Sequence, residues 1–175
     1  MNQEELEAYI QTYGKDLYSF CCSMTRNRQE ADDLYQDTFL KLYELKDEVV
    51  IEKNPKSFLM SISVNLYRNY KRKLSIRQKI VGISLSLEEN DIDIPSGEQM
   101  TEEMIVKQEA CLIIQKSVKQ LPNKYKLPIL LFYMEDLEIM EVSQILNLPE
   151  GTVKSRIHRA KKILKQKLED IHYER

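Results

Sequence analysis

The residues with the most chemical content lie near the C-terminal end of this 175-residue chain. From Lys154 to Lys167 the polar positions carry Lys154, Ser155, Arg156, His158, Arg159, Lys161, Lys162, Lys165 and Lys167, and no acid. Cations packed this densely along one helix suit nucleic-acid phosphates, with base edges reached from the helix's first turns. A second set, Asn65, Arg68, Asn69 and Arg72, steps by three, one and three. Amides and guanidiniums on one helical face can hydrogen-bond bases and hold backbone phosphates, and Tyr67 and Tyr70 beside them can stack on bases. A third set, Asp33, Gln36, Asp37 and Leu40, is also one helical face. It reads either as a solvated acidic surface or as a docking surface for a basic partner helix.

Catalytic chemistry has little to work with. There are two histidines, one in the basic segment and one in the tail, and no glycine-rich phosphate loop. No nucleophile and base stand in a plausible pairing, so no enzyme and no cofactor are expected. Cys21, Cys22 and Cys111 show no zinc spacing and no ready disulfide, so no metal site is expected and a reducing compartment fits. The N-terminus is acidic and lacks an apolar signal region, and no apolar run approaches ~20 residues. A cytoplasmic protein with no membrane insertion of its own is expected. The net charge of -2 requires a nucleic-acid binder to segregate its cations. The chain does so: residues 65–79 hold six bases and no acid, whereas 88–109 hold many acids and one base, Lys107.

The elements that must position these residues are helical. With four glycines, five prolines and much Leu, Lys, Glu and Ile, the composition favours helix over sheet. Leu6, Ile10, Tyr13, Leu17, Phe20 and Met24 mark a first amphipathic helix. Asn27 with Glu30 starts a second in capping-box fashion, with Ala31, Leu34 or Tyr35, Thr38, Leu42 and Leu45 inward. Asn54 caps a third and Pro55 opens it, with Phe58, Leu59, Ile62, Leu66 and Tyr70 inward. Periodicity fails over 80–100, where acids, Pro95, Ser96 and Gly97 indicate a flexible linker, with a short strand at Ile83–Leu87 as an option. Helix resumes at Thr101, on a stripe of Met104, Gln108, Cys111 or Leu112, Val118 and Leu121. Pro128 should kink the next helix or mark its true start, and Leu127–Met134 should be a buried spine. Last comes a helix-turn-helix. Val142, Ile145 and Leu146 face inward, Asn147 to Gly151 make the turn, and Thr152 caps a helix whose inner stripe is Val153, Ile157, Ala160 and Leu164. The expected fold class is all-α, as two small helical domains (1–79 and 101–175) joined by the acidic linker 80–100.

In this order, three segments resemble a bacterial sigma factor of the extracytoplasmic-function type. EADDLYQDTFLKLY (30–43) looks like that family's core-polymerase-binding helix, and NPKSFLMSISVNLYRNYKRK (54–73) like its minus-ten-reading helix. LPNKYKLPILLFY (121–133), followed by the helix-turn-helix with GTVKSRIHRAKK (151–162), looks like its minus-thirty-five-reading domain. The resemblance implies a factor that binds core RNA polymerase and directs it to promoter DNA, melting the minus-ten element without hydrolysing nucleotide. It places Asp33, Gln36, Asp37 and Leu40 on the polymerase. It places Lys53, Asn54, Lys56 and Ser57 at a pocket for a flipped base, with Asn65 and Asn69 near it and Arg68 and Arg72 on the strand backbone. Lys154, Ser155, His158 and Arg159 would face the minus-thirty-five groove, with Arg156, Lys161 and Lys162 on phosphate. An anti-sigma factor is an implied partner, and the acidic linker is a candidate to cover the basic faces. The chain departs from the pattern at Phe58, where the family has Trp, and at Ser143, Asn147 and His158. Glu138 stands at a Ser or Thr cap position, which implies a weaker cap. The competing reading is an autonomous helix-turn-helix regulator that acts without docking on polymerase.

Overall fold

The structure, a computed structural model, describes residues 3–45, 54–81 and 102–173, all of whose regular elements are helical. Lys53, the possible strand at 83–87 and nearly all of the expected linker lie outside the described residues. Among the described residues seven α-helices follow one another: α1 (Gln3–Met24), α2 (Arg28–Glu44), α3 (Pro55–Val81), α4 (Glu102–Lys119), α5 (Asn123–Ile129), α6 (Ile139–Leu146) and α7 (Glu150–Tyr173).

The starts of α2 and α3 follow from local chemistry. Asn27 Oδ1 accepts the Glu30 amide at 2.8 Å and Asn54 Oδ1 accepts the Ser57 amide at 3.2 Å, each satisfying an orphan donor of the first turn. The capping box at α2 is only half made, because the Glu30 carboxylate turns away to Lys71 of α3 at 3.2 Å. Gly14 lets α1 cross α2 closely: a Cβ there would lie 2.9 Å from the Tyr35 hydroxyl oxygen. Leu17, Phe20, Met24, Ala31, Leu34, Thr38 and Leu42 are buried as expected, and Phe39 joins them. Ile10, expected inside, is 39% exposed.

The central helix α3 departs most from its sequence pattern. Leu59 and Ile62 are buried as expected, but so are Met60, Ser63, Val64 and Tyr67, while Tyr70 is 45% exposed. One stripe packs on α1 and α2 and the other on α6, so α3 is covered on two sides. A single cluster of buried apolar side chains runs from Leu17 and Phe20 through Leu59 and Tyr67 to Leu131, Val142 and Ile157. A smaller one joins Leu121, Ile129 and Ala160.

Toward the C-terminus several expectations are corrected. Cys111 and Leu112 are exposed and Ser117 is buried, so α4 turns a different stripe inward near its end. Pro128 neither starts nor ends α5; it lies inside, and a π turn over Leu130–Met134 follows at once. Proline donates no hydrogen bond, and the chain resumes with wider spacing, Glu135 N–H donating to Leu130 O at 3.2 Å. Leu127 to Leu131 form the buried spine, but Tyr133 and Met134 reach solvent.

Candidate nucleic-acid interface

The turn between α6 and α7 is built as its residues demand. Asn147 ends α6 in the left-handed region (φ 52°, ψ 55°), and the Ser143 hydroxyl donates to Leu148 O to close the corner. Helix α7 then begins at Glu150, two residues before the expected cap. Thr152 lies inside the first turn and donates its N–H to Pro149 O at 2.9 Å. An acid at the first position favours that earlier start through the helix dipole. The start of α6 is also better capped than the sequence implied: Glu138 N–H donates to Glu141 Oε2 at 2.9 Å. Val153, Ile157 and Ala160 seat α7 on α5 and α6.

Lys154, Ser155, His158, Arg159, Lys161 and Lys162 all project from α7 into solvent. Lys154 approaches Glu150 at 3.8 Å, but both side chains are more than half exposed and the pair holds little. Arg156 is different: it is half-buried and turned toward α3. The basic helix therefore presents one continuous cationic edge, minus Arg156. On α2, Asp33, Gln36, Asp37 and Leu40 (59% exposed) likewise stand clear of the body. Beside them a hollow of about 300 Å³ is lined by Glu30, Asp33, Asp37, Asn69, Tyr70 and Lys73, among others. Glu30 Oε1 is buried at its base without a hydrogen-bond partner.

The residues expected around α3 are split. Asn65, Asn69 and Arg72 are exposed. Asn54, Lys56 and Arg68 are instead held by the second half of the chain. Asn54 Nδ2 donates to Glu141 Oε1 of α6. The Arg68 guanidinium donates twice to Leu146 O, at 3.3 and 3.4 Å, satisfying a terminal carbonyl of α6. Burial and the neighbouring Arg156 both push the Arg68 pKa down. Lys56 sits 3.1 Å from Asp16 and 3.2 Å from Glu135. The Tyr67 hydroxyl donates to Asn123 Oδ1 of α5 at 3.3 Å. Stacking by Tyr67 is thus foreclosed in this arrangement, since the ring is 3% exposed, while Tyr70 stays available. Sequence reasoning missed Glu135, Glu141 and Asn123; the one signal was the acidic pair Glu135–Asp136 directly after the apolar spine.

Glu135 and Lys56 respond oppositely to their pairing. Burial alone would lower the Lys56 pKa, but two carboxylates together outweigh it and the pKa ends raised. Glu135, with its side chain 1% exposed, shares that single cation, so burial wins and its pKa rises from the ordinary 4.5. A carboxyl with a raised folded-state pKa binds its proton more readily folded than unfolded. Its charge therefore costs stability above the raised pKa, and that cost disappears as pH falls toward 4.5. Glu135→Gln is expected to raise the thermal midpoint at pH 7 by about 2–4 °C, with the advantage vanishing in acid. A midpoint lowered at pH 7 would mean that the Lys56 pair outweighs the cost of burial.

Comparison with known proteins matches the same segments. The family Sigma-70 region 2 matches residues 9–76, spanning α1 to α3, and Sigma-70, region 4 matches 111–164, spanning α4 to α7. The chain is similar to the ECF RNA polymerase sigma factor SigW of Bacillus subtilis, 30% identical over 97% of this chain and 92% of that one. It is 27% identical to SigM of the same organism over 91% and 93%. Among solved structures, the sigma factor RpoE, crystallised with the anti-sigma factor NepR from Bartonella quintana, superposes with a TM-score of 0.77 over 95% of this chain and 98% of that one, at 22% identity. CnrH, solved with the cytosolic domain of CnrY, superposes at 0.67 over 97% and 90%, at 18% identity.

Proposed function

Because this chain belongs to the ECF RNA polymerase sigma factors, we propose that it binds core RNA polymerase through the outer face of α2 and directs transcription initiation at specific promoters. The observation that carries this reading is the order of surfaces along one chain: an exposed acidic face on α2, amide and guanidinium groups on α3, and a helix-turn-helix ending in the exposed basic edge of α7. Residues 1–79 form the polymerase-binding, minus-ten-reading part, 80–100 the linker, and 101–175 the minus-thirty-five-reading part. The chain works in the cytoplasm as a binding protein, with no catalytic step of its own. Among the described residues no helix is long and apolar enough to cross a membrane.

Asp33, Gln36, Asp37 and Leu40 take the polymerase, and the carboxylate-lined hollow beside them receives a cationic side chain. Lys53, Asn54, Lys56 and Ser57 meet a flipped base, Asn65 and Asn69 lie near it, and Arg68 and Arg72 hold the strand. Lys154, Ser155, His158 and Arg159 read duplex, and Arg156, Lys161 and Lys162 hold phosphate. Asn54, Lys56 and Arg68 are engaged by Glu141, Glu135 and Leu146 O. DNA must therefore replace those acceptors with its own, and the two halves must part before both promoter elements are held. An anti-sigma factor is the partner that would oppose this, by holding the halves and hiding both surfaces.

Run-off transcription tests the whole reading. The purified chain, core polymerase and genomic promoter fragments should give discrete new transcripts. No transcripts, together with tight binding to a palindromic site without polymerase, would replace this reading with an autonomous regulator. Arg159→Ala is expected to cost about 1–3 kcal/mol of promoter affinity and to relax sequence preference in the duplex region. A uniform loss across sequences would move Arg159 to the phosphate contacts.

A further inference from the structure

The charge of Glu135 has no part in reading a promoter, yet it is buried where the two halves of the chain meet. The residue closes the π turn after α5, with its N–H on Leu130 O at 3.2 Å, and Asp136 after it takes the left-handed region (φ 55°). The second half thus fixes its backbone, while its side chain meets the first half. Lys56 of α3 approaches Glu135 Oε2 at 3.2 Å, and Cys21 of α1 lies near enough to feel its charge. Asp16 of α1 competes for the same Lys56 ammonium at 3.1 Å. Two carboxylates therefore share one cation. Asp16 is half exposed and water serves it, whereas Glu135 is shut away from water. The charged groups of the other neighbouring helices are engaged elsewhere. Lys124 and Lys126 of α5 line hollows beside Tyr67, and Glu141 of α6 accepts from Asn54 Nδ2 and from Glu138 N–H.

Parting the halves takes Lys56, Asp16 and Cys21 off Glu135 and returns its carboxylate to water. In water it ionises near the ordinary 4.5; in the closed seam burial outweighs the shared cation and the pKa is raised. The closed chain therefore keeps a proton that the open chain gives up. Linkage fixes the sign. Protonation favours the closed arrangement in full below 4.5, and that advantage is lost as pH rises through the raised value. Lys56 stays charged across this window, since its pKa is raised above the ordinary 10.5. The cross-seam bonds from Arg68 to Leu146 O and from Tyr67 to Asn123 are made by groups that do not titrate there.

We propose that Glu135 is a proton-operated latch on the seam: with its carboxyl neutral the two halves stay together, and its ionisation lets them part. The latch works because the first half supplies the cover and the second half the acid, so the group is buried only while both are in contact. That acid would keep α3 from DNA rests on the function proposed above; the latch itself does not.

Single-molecule energy transfer across the seam tests it on the full chain without DNA or polymerase, so its outcome is separate from that of the promoter assignment. Donor and acceptor go on Gln11→Cys in α1 and Gln166→Cys in α7, both exposed positions. The background is Cys22→Ser/Cys111→Ser, which keeps only the buried Cys21. The open fraction is expected to rise several-fold between about pH 5 and pH 8, by at most about tenfold per pH unit because one proton is exchanged. In Glu135→Gln it should stay at its acid level throughout. In Asp16→Asn, where Lys56 serves Glu135 alone, the open fraction at pH 7 should fall and its rise should begin at lower pH. Asp16 lies at the surface, so this variant decides the matter if Glu135→Gln does not fold. A flat profile in the parent overturns the latch, and so does a rise toward acid, which would mean that the Lys56 pair outweighs burial. Dependence on pH that survives in Glu135→Gln also overturns it, since that places the titrating group elsewhere, as at His158. An Asp16→Asn profile identical to the parent's does the same.

Discussion

Asp33→Lys combined with Asp37→Lys is expected to abolish run-off transcription and to weaken binding to core polymerase by about 100-fold or more. The two carboxylates lie four residues apart on the exposed side of α2, next to a hollow that holds a third, Glu30. Reversing both replaces attraction by like-charge repulsion against a basic partner, and such juxtaposition costs several kcal/mol. The fold should not notice. The buried side of α2 is Ala31, Leu34, Thr38, Phe39 and Leu42, none of which is touched. The thermal midpoint should stay within about 2 °C of the parent, as surface substitutions usually allow. Gln36→Ala removes one amide from the same face, and a loss of about tenfold is expected there. Affinity measured by competition for fluorescent core polymerase, with the midpoint as control, separates docking from folding. Unchanged affinity in the double variant would remove α2 from the polymerase interface.

Holding the two halves together should silence the chain as completely as removing its docking face. Asn54 and Glu141 hydrogen-bond each other across the seam, from the start of α3 to α6. Cysteines at those two positions, in a Cys22→Ser/Cys111→Ser background, can be joined by a short cleavable bis-maleimide. Cys21 stays, because it is buried and burial raises its thiol pKa, which suppresses reaction. Run-off output from the cross-linked chain should fall about 20-fold or more and return when the linker is cleaved, a population shift imposed by a bond. The cleaved sample carries the same substitutions, so their own effect cancels. Full activity in the cross-linked state would show that the closed arrangement engages promoter as it stands, and that Asn54, Lys56 and Arg68 need not change partners.

These expectations rest on different surfaces. The acidic face of α2 and most of the basic edge of α7 are open in the closed chain, whereas Asn54, Lys56 and Arg68 are covered by acceptors of the second half. Glu135, Glu141 and Leu146 O stand where the acceptors of a nucleic acid would stand for the same three donors. If these residues hold polymerase and DNA as proposed, docking on polymerase requires no opening and engagement of DNA by α3 does, which would set polymerase binding before separation of the halves over promoter DNA.

Wherever an element is decided within a few residues of itself, the sequence alone determined it. Asn27 and Asn54 cap α2 and α3 because a side-chain oxygen three residues before an orphan amide is a local arrangement. Asn147 takes the left-handed turn, and Val153, Ile157 and Ala160 face inward at helical spacing, so the exposed face of α7 was legible before any packing was known. The three segments that carry the family resemblance are local patterns of this kind. Only the tertiary structure decided what α3 does. Periodicity assigns a helix one buried face, and a helix placed between two bodies buries two. Tyr67 is therefore core and Tyr70 is not, and Arg68 serves a carbonyl 78 residues away instead of standing free. The cross-seam partners of Asn54, Lys56 and Tyr67 are likewise 56 or more residues distant in sequence. No spacing rule reaches that far, because such pairs are set by which faces meet when apolar surface is buried.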